Sequence, residues 1–123
     1  MTATAYAAPN NFFGATLPSS WPRSSRSLFG DVVLLVFLLA QCLDGVFTYV
    51  GVVSFGVGIE ANPLIAALMA HLGHGLALVG AKSIAGLLGC ALHVRQVHAA
   101  VAALALFYLA VAVMPWMAIL FSW

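Results

Sequence analysis

Val32 to Phe55 is a run of 24 residues that holds fifteen Leu, Val or Phe residues and a single charge, Asp44. As a helix rising about 1.5 Å per residue, it is long enough to cross a hydrocarbon core of about 30 Å. The fifteen apolar side chains contribute about −0.3 to −0.6 kcal/mol each on an insertion scale, against roughly +3 kcal/mol for one central carboxylate. The segment therefore inserts despite its acid. The rest of the chain obeys the same constraint, with 64% hydrophobic and 6% charged residues. Soluble domains carry roughly a quarter charged residues to cover their surface. The composition points to a membrane protein.

Two further apolar stretches follow. Pro63 to His93 has 31 residues, too few for two crossings of about 20 each and too many for one straight helix. A break is required, and Gly73-His74-Gly75 supplies it, leaving a short helix over 63–72 and a span over 76–93. A third span covers 97–120, where Pro115 is expected to kink the helix near its end. Residues 1–27, rich in Ala, Pro, Ser and Asn, lack the apolar content to offset ordering entropy and are expected to form a flexible tail. The expected fold is all-α. Residues 28–123 form a helical membrane domain of three transmembrane helices plus one short helix, re-entrant or interfacial, between the first and second spans.

With three spans, a cytoplasmic amino terminus puts Arg23, Arg26 and Arg95 on one side, as the excess of Lys and Arg in cytoplasmic loops requires. The carboxyl terminus, Glu60, His71 and His74 then lie outside, with Trp116 and Trp123 near the outer interface and Trp21 near the inner one. This is the arrangement of a multi-pass protein of the cytoplasmic membrane. The four cationic residues Arg23, Arg26, Lys82 and Arg95 are scattered, so nothing suggests nucleic acid. Cys42 and Cys90 both sit in apolar runs, where a free thiol acts as a small hydrophobe.

Ionisable groups inside a membrane are informative because each is costly unless it faces protein, water or a partner. On the first span Gln41, Asp44 and Thr48 share one face, continued by Gly51. On the second, Lys82 shares a face with Leu78, Ala85, Gly86 and Gly89. Ala81, Ala85 and Gly89 form a ladder of small residues at four-residue spacing that lets another helix approach closely. Counting rise from Ser54 places Asp44 about 15 Å deep, and counting from Gly75 places Lys82 about 10 Å deep. The lysine stem covers the difference. Asp44 and Lys82 are thus expected to pair between antiparallel spans.

Between those spans lies Glu60-Ala61-Asn62-Pro63. Asn62 suits a helix N-cap and Pro63 the first helical position. The helix they start, "LIAALMAHL", is apolar all round except for His71, which does not suit a helix with one wet face. Seven residues from Gly56 to Asn62, at about 3.3 Å each, have the reach to dip inward. Such irregular backbone is tolerated at depth only inside protein or beside a cavity. A dip would bring Glu60 and Asn62 to Asp44, Thr48 and Lys82, where two carboxylates sharing one ammonium could hold a proton or a small cation. A surface-lying loop is the alternative.

The ordered set Asp44-x-x-x-Thr48, Gly58-x-Glu60-Ala61-Asn62-Pro63 and Ala81-Lys82 resembles an uncharacterised family of small bacterial and archaeal membrane proteins, a domain of unknown function. The resemblance covers roughly Leu39 to Phe121. It implies a compact helical membrane domain with Asp44, Thr48, Glu60, Asn62, Pro63 and Lys82 as signature positions, and it supplies no activity.

Other chemistry is weakly represented. His71 and His74 could offer two imidazoles to a metal, but the glycines beside His74 disturb the helical spacing such a pair needs. His93 and His98 flank Arg95 in a short polar turn, and Tyr108 either donates to a buried carboxylate or packs. No phosphate-cradling, metalloprotease or serine-hydrolase motif is present, and no cofactor is expected. The expectation is a non-enzymatic accessory or structural subunit in the lipid bilayer, packed against itself as a homo-oligomer or against other membrane subunits. The alternative is an oligomeric channel or carrier for protons or small cations built on Asp44, Glu60 and Lys82. A small intramembrane enzyme acting on a lipid-linked substrate is the third reading.

Overall fold

A computed structural model describes residues 27–122. The expected tail, with Trp21, Arg23 and Arg26, lies outside the described residues apart from Ser27, as does Trp123. Helix α1 spans Leu28–Phe55 and begins at Ser27, whose hydroxyl accepts the Gly30 N–H at 3.2 Å. Asp31 in its first turn suits the positive end of the helix dipole. The helix stops at Gly56, whose φ of 89° only glycine adopts without strain. A short 3-10 turn, Val57–Ile59, leads to α2, Pro63–Leu72.

Helix α3 runs from His74 to Val94 and is separated from α2 by Gly73 alone, at φ 83°. The expected three-residue break is thus a single residue, because one positive φ reverses the chain and leaves His74 and Gly75 free to form the first turn of α3. The turn after α3 places Gln96 at φ 61°. There Val97 N–H donates to Leu92 O at 3.0 Å and Gln96 N–H to His93 O at 2.9 Å, which closes the carbonyls of the helix end.

Helix α4, His98–Phe121, is continuous but contains a π-turn over Leu109–Val113. Pro115 lacks an N–H, and its ring crowds the carbonyl four residues back, Val111. The ladder widens into the π form in the turn that holds that carbonyl.

The described residues contain four helices and no strand. Three of them, of 28, 21 and 24 residues, are long and apolar enough to cross a membrane. Helix α1 is central, packing along both α3 and α4, which touch each other much less. Its buried face runs Phe37, Ala40, Gln41, Asp44, Thr48, Gly51 and Val52, the alternating three and four residue spacing of a helix packed along its whole length. Apolar clusters close the two ends of this interface. Val52, Met69, Ala77 and Leu78 form one, with Val57, Ile59 and Ile65 of the loop and α2 against it. Phe37, Val101 and Ala105 form the other. Between them lies a polar layer.

Close approach in that interface depends on glycine. The Trp116 ring lies where a side chain at Gly51 would project, and Phe37 does the same at Gly89 and His98 at Gly30. Each glycine turns a potential collision into a close ring contact across two helices.

Candidate functional site

Asp44 is only 5% exposed, and both of its oxygens are used. Oδ2 accepts from Lys82 Nζ on α3, and Oδ1 accepts from Thr48 Oγ1 one turn along α1 at 3.2 Å. The fixed helical spacing of Asp44 and Thr48 lets the hydroxyl orient the carboxylate toward Lys82. Lys82 reaches across α1 with its stem over Gly45, and its Nζ sits 5.2 Å from the centroid of the Tyr108 ring on α4. Tyr108 therefore meets the ion pair through its ring face, and its ring makes a T-shaped contact with Phe37, centroid to centroid 5.9 Å. The aromatic face adds favourable electrostatics to an ammonium already neutralised by Asp44.

Glu60 arrives from the loop. Its Oε1 accepts the Asn62 N–H at 2.7 Å, and Asn62 Oδ1 accepts the Leu64 N–H at 3.0 Å, so the carboxylate and the amide cap the start of α2 in series. Pro63 occupies the first helical position, where a missing N–H costs nothing. This cap turns the backbone so that Ile59 to Asn62 line the same cleft as Asp44, Thr48 and Lys82.

That cleft has a volume of about 510 Å³. It lies over α1 where α3 and α4 make little contact with each other, with Ala81 and Ala85 on one wall and Phe107, Tyr108, Ala112 and Trp116 on the other. Five of the polar positions read from the sequence, Asp44, Thr48, Glu60, Asn62 and Lys82, thus border one space. The packing positions divide. Ala81 and Ala85 border the cleft, whereas Gly86 approaches Leu38 and Gly89 seats Phe37 of α1.

Gln41 shares the face of Asp44 and is 3% exposed, yet neither its amide oxygen nor its nitrogen has a partner among the described residues. His71 and His74 fall on different helices, either side of Gly73. Among the described residues no group of three His, Cys, Asp or Glu side chains is placed to hold a metal ion.

At the opposite end of the bundle a second polar contact joins all three long helices. Asp31 Oδ1 lies 3.3 Å from His93 Nε2, the His93 and His98 rings are 5.1 Å apart, and His98 Nε2 meets Gln96 Oε1 at 3.0 Å. Reading the histidines as a polar turn missed Asp31. The signal was its position in the first turn of α1, which an antiparallel topology sets beside the last turn of α3.

Comparison with curated proteins and with solved structures finds no match to the chain. A family model described as a domain of unknown function, DUF5658, matches residues 35–122, which takes in every residue named in the cleft. The chain belongs to the DUF5658 family, a domain of unknown function.

Proposed function

We propose that this chain is a small multi-pass protein of the cytoplasmic membrane whose working element is the cleft, and that the cleft binds a small organic molecule without making or breaking bonds. The observation that carries this reading is convergence: Asp44 and Thr48 from α1, Lys82 from α3 and Glu60 from the loop border one space of about 510 Å³. Ligand clefts run from about 300 to 1,000 Å³, with a few placed polar groups in an apolar lining. A lone proton or bare cation needs far less room. A purely structural ion pair would be sealed, whereas the Lys82 side chain keeps 22% of its surface exposed.

The orientation that suits Arg23, Arg26 and Arg95 puts the loop end of the bundle outside and the α3–α4 turn inside. In that frame Ile59 to Asn62 form a re-entrant segment, tolerated because its backbone borders a cavity rather than lipid.

Native mass spectrometry of the protein released from its own membranes tests the reading. The wild type is expected to carry an adduct of organic mass that a variant filling the cleft, Ala85→Trp, lacks. Protein without such an adduct would overturn it. Ion flux in proteoliposomes, abolished by Asp44→Asn, would then favour the carrier, and co-purifying membrane subunits would favour the accessory role.

A further inference from the structure

Resting on the reading of the cleft as a binding site, we infer that its ligand is an amphiphilic organic cation, an apolar body carrying an ammonium-type head, which enters from the bilayer between α3 and α4. Charge decides the head. Among the described residues the charged ones bordering the cleft are Asp44, Glu60 and Lys82, and Lys82 is already spent on Asp44. Glu60 is left as one surplus negative charge. Its Oε1 is held by the Asn62 N–H, which fixes the carboxylate in place without neutralising it. An anionic head would add repulsion to that charge, whereas a cationic head would offset it.

The aromatic lining points the same way. Phe107, Tyr108 and Trp116 border the cleft, and faces of such rings attract cations, quaternary ammonium groups among them. Tyr108 already presents its face to one ammonium, that of Lys82. The apolar body has its own surface in Ile65, Leu78, Val111 and Ile119. The route follows from the packing: α3 and α4 are held mainly by α1 and hardly by each other, so the gap between them faces the lipid.

Isothermal titration calorimetry of the full chain in maltoside detergent tests the inference. The probes are dodecyltrimethylammonium, dodecylphosphocholine and dodecyl sulfate, each below its micellar concentration. Saturable binding of the cationic probe alone is expected, with Kd at least tenfold weaker in Glu60→Gln. That variant keeps an oxygen for the Asn62 N–H, so the α2 cap survives and the comparison isolates charge. Equal or tighter binding of the zwitterionic or anionic probe, or an unchanged Kd in Glu60→Gln, would overturn the cationic ligand and leave the binding cleft standing. No saturable binding of any probe, together with no adduct on the native protein, would overturn both.

Discussion

Lys82 on α3 donates to Asp44 on α1 across 38 residues of chain, and the two are unequally enclosed, with 22% of the lysine side chain exposed and 7% of the aspartate's. The carboxylate is therefore the buried partner that suffers when the pair is broken. Removing one member of a buried pair costs about 3–5 kcal/mol, whereas replacing both with apolar residues is often neutral. Lys82→Met is expected to lower membrane accumulation and thermal stability in detergent well below the wild type. Adding Asp44→Leu should restore most of the loss. A single variant as stable as the double would show that the charges do not depend on each other.

Gly51 and Trp116 make a steric prediction. A methyl group at Gly51 would fall within the Trp116 ring, and overpacking of this kind costs about 1–3 kcal/mol. Gly51→Ala is expected to lower the thermal midpoint in detergent, while Gly80→Ala, with nothing within 4 Å among the described residues, should leave it unchanged or raise it. Equal effects of the two substitutions would place Trp116 elsewhere.

Gln41 predicts a gain. Its amide is buried without a partner among the described residues, and such a group carries a desolvation penalty of about 1–3 kcal/mol. Gln41→Leu keeps a similar volume and removes the penalty, so the variant should be at least as stable as the wild type in thermal unfolding. A clear loss of stability would mean that the amide has a partner.

Asn62 caps α2 through Leu64 N–H. Its replacement by alanine should cost about 1 kcal/mol, as loss of an N-cap does. The effect is local: hydrogen exchange should quicken at the first turn of α2 and stay unchanged in the middle of α1. Uniform quickening would contradict a cap confined to this helix.

Much of the architecture is legible because apolar length and glycine act locally. The run from Val32 to Phe55 demands one long helix wherever it packs, and the expected start at Val32 falls short of the observed Leu28 because Ser27, not hydropathy, sets the first turn. Asn62-Pro63 announces the start of α2 through short-range hydrogen bonding. Pro115 advertises a disturbance, but the π-turn it takes upstream depends on how the helix redistributes its carbonyls. The Asp44 and Lys82 pairing was accessible by counting rise along two antiparallel helices. The contact of Lys82 with the Tyr108 face was not, because no periodicity on α3 reports which way α4 turns its aromatic residues.

The sequence by itself determined three membrane-length helices, a capped short helix between the first two, and the few polar side chains that an apolar chain must reconcile with its surroundings. These follow from transfer free energy and backbone hydrogen bonding, which act residue by residue. Only the tertiary structure decided that α1 lies at the centre, that α3 and α4 pack on it and hardly on each other, and that Glu60 borders the resulting cleft rather than a closed interface. Those outcomes depend on where Gly30, Gly51 and Gly89 admit His98, Trp116 and Phe37. Such contacts exist only between surfaces brought together by the whole fold.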